Sequence, residues 1–156
     1  MRLHLISVGT RMPAWVKEAY HDFAKRLPHE CRLILHEVEA GKRGKNTDVK
    51  RLISAEGERM LAVIPKNALC IALDVEGVQW NSEKLAGALN NWMASGEDVA
   101  LLVGGADGLA PACLQRATSR WSLSQLTMPH MLVRVVLAEQ LYRAWSIGRG
   151  LPYHRA

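Results

Sequence analysis

Residues 99–108 read VALLVGGADG: five apolar residues without a break, then Gly104, Gly105 and Gly108 around a single acid, Asp107. An unbroken apolar run of this length, closed by a turn signal, is the pattern of a strand buried on both faces. Such strands belong to parallel sheets, whose two faces are both covered by helices. Ligands of these sheets bind at the carboxyl ends of the strands, where glycine lets the backbone come close. The same glycines suit a plain strand-to-helix turn, and the stretch alone leaves both readings open. It lacks the Lys-Ser/Thr ending of a phosphate-binding P-loop and the G-x-G-x-x-G spacing of a dinucleotide fold. ATPase and Rossmann dehydrogenase chemistry lose most of their support accordingly.

Working outward, Leu69 to Leu73 is a second continuous apolar run. Between the two runs Ser82 is placed to cap a helix reaching about Ser95, with Leu85, Leu89 and Trp92 on one side. Leu3, Leu5, Ile6 and Val8 predict a strand that ends at Gly9-Thr10, and Arg32 to Val38 predicts another. Helical spacing covers Ala14 to Arg26, with Trp15, Ala19, Phe23 and Leu27 as its apolar face. It returns from Thr47 to Ile64, with Val49, Leu52, Ile53, Met60 and Leu61 inward. Downstream lie a helix from about Pro111 to Ser119, a short strand at Trp121 to Leu123, and a long helix from about Pro129 to Ile147. Strands alternating with helices of this length imply an α/β sandwich with a mostly parallel sheet. With 156 residues and no linker or repeat, the chain reads as one domain over 1–156 with a nine-residue tail at 148–156.

Composition excludes other classes. An apolar fraction of 49% and a charged fraction of 22% exclude a disordered chain and supply a core of ordinary size. Cys31, Cys70 and Cys113 are odd in number and widely spaced, as expected of reduced thiols in a cytosolic protein. No signal peptide or membrane-length apolar run is evident, so a soluble, cytoplasmic protein is expected. His4, His21, His29, His36 and His130 have no metal-ligand spacing, and no metal is expected. Twenty Lys+Arg against fifteen Asp+Glu give +5, which points only weakly to a polyanionic partner.

Four stretches carry candidate chemistry. Residues 40–46, AGKRGKN, form a flexible basic loop in which Lys42, Arg43 and Lys45 suit RNA phosphates or a solvated surface. Residues 121–130, WSLSQLTMPH, alternate polar and apolar side chains, which suits an uncharged purine and its ribose or simply a half-polar strand and helix start. The helix from Met131 to Trp145 is apolar on nearly all sides, so it is either a central core helix or a homodimer interface. Its charged exceptions are Arg134 and the i,i+4 pair Glu139 and Arg143. Finally, Tyr153, His154 and Arg155 bring an aromatic ring, an imidazole and a cation to a tail that spans about 30 Å when extended.

Together these stretches resemble a known family. LLVGGADGL at 101–109, WSLSQLTMPHMLVRVVLAEQLYRAWSI at 121–147 and PYHR at 152–155 are similar to the SPOUT methyltransferases. Within them, they look most like the bacterial family that methylates N3 of a pseudouridine in large-subunit ribosomal RNA. AGKRGKN at 40–46 and Leu73-Asp74 match as well, so the likeness runs from Val8-Gly9 to Arg155. The resemblance implies a homodimer with a trefoil knot over about 70–150, using S-adenosylmethionine. It implies a cofactor pocket of Leu73, Gly104, Gly105, Leu123, Ser124, Gln125, Leu126, Thr127 and Met128. It also implies a catalytic tail of Tyr153, His154 and Arg155 at the dimer interface; side-chain chemistry makes His154 the proton acceptor, gives Arg155 the anionic base or a phosphate, and lets Tyr153 stack on or orient the base. Lys42, Arg43, Lys45 and Arg134 would contact 23S rRNA, on assembled ribosomes. The competing reading is a non-enzymatic RNA- or ribosome-binding module with the same fold.

Overall fold

The computed structural model describes residues 1–155. In chain order the elements are β1 (Arg2–Val8), α1 (Ala14–Ala24), β2 (Arg32–Val38), α2 (Val49–Val63), β3 (Leu69–Gln79), α3 (Ser82–Ser95), β4 (Val99–Val103), α4 (Pro111–Arg116), β5 (Ser119–Ser122) and α5 (His130–Gly148). The five strands form one sheet in the order β2-β1-β4-β3-β5, and every pair is parallel. The most apolar run, β4, sits in the middle and is wholly buried. Two cores follow from the two covered faces. Leu5, Tyr20, Leu89, Leu101 and Leu137 fill the face under α1, α3 and α5, while Ile6, Met60, Ala100, Leu102 and Cys113 fill the face under α2 and α4.

Local chemistry fixes the helix ends, and in places it differs from the sequence expectation. Asn81, not Ser82, caps α3: its side chain accepts from the Lys84 amide at 2.8 Å. Ser82 is instead the first helical residue and donates to Gln140 at 3.0 Å. Gly96, at φ +74°, ends the helix in the left-handed conformation. The inner face of α1 is Val16 and Tyr20, whereas Trp15 is 62% exposed. On α2 the inward positions include Glu56 and Gly57, and Val49 is exposed. Gly57 allows α2 to meet the segment before α4, because a Cβ there would lie 2.5 Å from the Ala110 Cβ.

Helix α5 resolves its own ambiguity in part. Leu137, Ala138, Leu141 and Ala144 are fully buried between α1 and α3, so it is a core helix. Leu132, Val135 and Val136 on its outer side remain only half-buried.

Candidate functional site

The bulged middle of β3 and the loops that follow β4 and β5 converge at the carboxyl end of the sheet around a cavity of about 760 Å³. The β3 wall is Leu73, Asp74 and Val75. It bows outward because Leu73 and Val78 both pair with Trp121, leaving residues 74–77 outside the ladder. The β4 wall is the turn from Gly104 to Leu109. Gly108, at φ +84°, donates its amide to the Gly105 carbonyl at 3.1 Å, and a Cβ on Gly104 would lie 2.5 Å from the Gly108 carbonyl carbon. The glycines therefore shape a tight turn, and that turn lines the cavity. The third wall is Leu123, Ser124 and Leu126 to His130. Ser122 Oγ donates to the Ser124 carbonyl at 3.0 Å and Ser124 Oγ accepts from the Leu126 amide at 3.0 Å, which folds this stretch into a turn. Gln125 is exposed and stands apart from the lining.

The electrostatics of the lining restrict its ligand. Its ionisable residues are Asp74, Asp107 and His130, with no lysine or arginine among the described residues. Asp74 lies 3.6 Å from Arg120, and Asp107 accepts from Arg43 at 2.7 Å. Burial, with help from the Arg134 and Arg43 charges, holds the His130 imidazole below its ordinary range, so it is neutral at pH 7. A phosphorylated nucleotide would find no cation to pair with here. A nucleoside with an aliphatic arm and a positive sulfonium, as in S-adenosylmethionine, suits the volume, the apolar walls and the acidic rim.

The tail is packed beside this cavity rather than inside it. Tyr153 donates to Glu139 at 3.2 Å, stacks edge-on against Tyr142 at 4.7 Å, and lies under the Arg143 guanidinium at 4.9 Å. Glu139 also accepts from Arg143 Nε at 3.0 Å and from Gln140 at 2.8 Å. Burial first, then the Glu139 carboxylate, raises the Tyr153 phenol above its usual range. His154 sits between Arg143 at 3.4 Å and Glu83 at 3.2 Å. It lines a second cavity of about 450 Å³ that shares Trp121 and Leu123 with the first. Arg155 is exposed, its Nε directed to the Pro152 carbonyl at 3.4 Å.

The basic residues divide into two kinds. Lys42 and Lys45 are exposed, as a nucleic-acid contact requires. Arg134 corrects the sequence expectation: at 0% exposure it has no surface to offer RNA. Its guanidinium instead donates to Ser7 Oγ, Glu37 and the Val8 and Gly9 carbonyls, tying α5 to the end of β1. Arg43 is also committed inward, to Glu56 and Asp107. Sequence reasoning missed Glu56, whose spacing on α2 is that of any surface glutamate. It also passed over Asp107, although its position inside the glycine turn was a usable signal. Among the described residues, no cluster of His, Cys, Asp or Glu is arranged to hold a metal, and no helix is long and apolar enough to cross a membrane.

Comparison with known proteins bears on this arrangement. A family model described as "Predicted SPOUT methyltransferase" matches residues 1–154. A ribosomal RNA large subunit methyltransferase H from Thioalkalivibrio sulfidiphilus (strain HL-EbGR7) is 59% identical over 155 residues, covering 99% of each chain. A protein of the same name from Methylococcus capsulatus (strain ATCC 33009 / NCIMB 11132 / Bath) is 54% identical, over 99% of this chain and 100% of that one. Among solved structures, a Legionella pneumophila methyltransferase in complex with S-adenosylmethionine aligns over 92% of this chain and 66% of its own. Its TM-score is 0.50 at 10% identity, a likeness of fold. With the family match running from the first strand through the tail histidine, the chain belongs to the SPOUT methyltransferases.

Proposed function

We propose that this methyltransferase transfers a methyl group from S-adenosylmethionine to N3 of a pseudouridine in 23S rRNA, acting as a homodimer on ribosomes in the cytoplasm. The observation that carries the reading is the phosphate-averse, apolar cavity at the ends of β3, β4 and β5, in a chain 59% identical to a large-subunit methyltransferase. The whole of 1–156 is one domain in this reading. The knot of the family occupies about 70–150 in this reading, which spans the three segments around the cavity, 73–75, 104–109 and 123–130.

Bound in the cavity, S-adenosylmethionine supplies an electrophilic methyl group. The chain supplies the rest. Leu73, Leu123 and Leu126 offer apolar contact to a purine, and Ser124 and Thr127 offer hydroxyls at the same wall. Gly104 and Gly105 keep the second wall thin. Gln125, though exposed, contributes through its backbone, and Met128 closes the wall before α5. N3–H of a pseudouridine is a weak acid, so a base must take its proton as the nitrogen attacks. His154 holds that role, with Arg155 stabilising the anionic ring and Tyr153 orienting it. Lys42 and Lys45 grip phosphates. Since the tail lies outside its own chain's first cavity, His154 of one protomer serves the cavity of its partner.

The half-buried apolar side of α5 and the 62% exposed Trp15 support the dimer, for both are apolar surfaces left in contact with water at a cost. A Val136→Asp variant is expected to be monomeric by sedimentation while retaining its helical circular dichroism. A dimer that persists at micromolar concentration would rule out this face. The cavity is tested by Thr127→Trp, at an exposed rim position. It is expected to weaken S-adenosylmethionine at least about tenfold by calorimetry, a change of roughly 1.4 kcal/mol, with an unaltered melting temperature. Unchanged affinity would put the donor elsewhere.

A further inference from the structure

Arg43 occupies an unusual position for a residue of a basic surface loop. Its Nε donates to Asp107 at 2.7 Å, Nη1 to Glu56 at 2.9 Å and to the Gly41 carbonyl at 3.1 Å, and Nη2 to Glu56 at 3.3 Å. Four of its five N–H donors are thereby used on protein groups, which leaves little for a phosphate. Glu56 is 2% exposed, and a buried carboxylate needs such a partner. It also accepts from the Gly41 amide at 2.9 Å, and a Cβ on Gly41 would lie 2.5 Å from Leu52. The root of the basic loop is therefore pressed onto α2. Asp107, at the other end of the guanidinium, belongs to the turn that forms a wall of the donor cavity.

We propose that Arg43 is a positioning residue that joins the basic loop at 40–46 to the glycine turn at 104–108, so that occupation of the donor cavity and binding of RNA favour one another. The inference rests on the reading of the cavity as the S-adenosylmethionine site and of Lys42 and Lys45 as the phosphate contacts. One planar guanidinium spans the two elements, and the lysines that face solvent are its neighbours in sequence. A ligand that holds the glycine turn in place holds Asp107, and through Arg43 it fixes where Lys42 and Lys45 stand. By reciprocity, RNA that holds the lysines steadies the turn. The link is placed to be made and broken: the Arg43 and Asp107 side chains are 27% and 36% exposed, unlike the sealed Arg134. A static clamp would be buried; a coupling element has to be reached by both partners.

The test is a binding cycle with S-adenosylhomocysteine as probe, read by calorimetry, and fluorescently labelled protein titrated with ribosomes with and without saturating probe. In the wild type the probe is expected to tighten ribosome binding about fivefold or more, the lower range of allosteric coupling. In Asp107→Asn, a change at a partly exposed position that leaves Glu56 paired, the factor should fall close to one. The salt dependence of ribosome binding should persist, since the lysines are untouched. Arg43→Lys should act in the same direction, and if it folds poorly the Asp107→Asn arm stands alone. A wild type without coupling, or an Asp107→Asn protein with the full wild-type factor, overturns the proposal. Failure of the wild type to bind the probe at all would instead overturn the reading of the cavity.

Discussion

Replacing Arg134 with methionine is expected to remove about 3 kcal/mol of folding stability, a large share of the roughly 5–15 kcal/mol that holds a domain together. The side chain is fully buried and every N–H is engaged. Nε donates to Ser7 Oγ at 3.1 Å, Nη1 to Glu37 at 2.8 Å and to the Met12 sulfur at 3.6 Å, and Nη2 to the Val8 and Gly9 carbonyls at 3.3 and 2.7 Å. Methionine fills comparable space, so packing is largely kept. What is lost is the partner of one carboxylate, one hydroxyl and two carbonyls. Orphaned buried groups of this kind carry the full desolvation cost. Glu37 is about one-third exposed, which keeps the expected loss at the lower end of the range for broken buried pairs. A second change, Glu37→Leu, should recover part of the loss, giving a clear coupling in the double-mutant cycle. Urea unfolding measures both. A loss below about 1 kcal/mol for Arg134→Met would mean that water or rearranged backbone satisfies these groups.

The second large effect concerns the tail. A chain ending at Gly150 is expected to bind S-adenosylmethionine within a few-fold of the full chain, yet to lose about 10²–10⁴-fold in single-turnover methyl transfer, the range of general-base catalysis. The reason lies in the cavity itself. Of its three ionisable residues, Asp107 is held by Arg43, Asp74 stands near Arg120, and the half-buried His130 imidazole is made a weaker base by burial. Two of them are paired and the third is a poor proton acceptor. The tail carries an imidazole, a phenol and a guanidinium within three residues. If the truncated chain transferred methyl groups at the full rate, the proton acceptor would have to lie in the cavity wall. His154→Ala then separates the imidazole from the rest of the tail: it should lose most of the single-turnover rate while keeping donor affinity.

How much of this was legible in the sequence depends on what each residue touches. β4 at Val99–Val103 and β2 at Arg32–Val38 were readable to the residue, because apolar runs and their turn signals are local properties. The alternation of strands and helices gives a mostly parallel sheet, and the sheet is parallel at every pair; the strand order itself is a property of the fold. The apolar face of α1 was half legible: Phe23 and Leu27 pack at the core, but Val16 and Tyr20 rather than Trp15 are covered by the sheet, since size does not decide which side of a helix is buried. Arg134, expected at the RNA from the resemblance, is fully buried, which is rare for arginine. Only the fold brings Ser7, Glu37 and two carbonyls of the β1 end around it, from positions as much as 127 residues away. The pairing of Arg43 with Asp107 was out of reach of the sequence for the same reason, since the two lie 64 residues apart. The cavity-lining residues at 73, 104–105, 123–124 and 126–128 were named from the resemblance and do line one cavity. Gln125 is the exception: in a turn folded by two serine hydrogen bonds, its side chain is directed away.

The central claim, methyl transfer to N3 of a pseudouridine in 23S rRNA, is tested most directly by a radiolabel experiment. The protein would be incubated with labelled S-adenosylmethionine and, in parallel, with ribosomes, free large subunits and naked ribosomal RNA from cells lacking this gene. The modified nucleoside would be identified by mass spectrometry. The expected result is label on N3 of one pseudouridine in 23S rRNA, strongest with ribosomes. Donor binding without label on any of the three RNAs, or label on another atom or nucleoside, would contradict the assignment. A protein that bound ribosomes but neither bound nor used the donor would be an RNA-binding module on a methyltransferase fold.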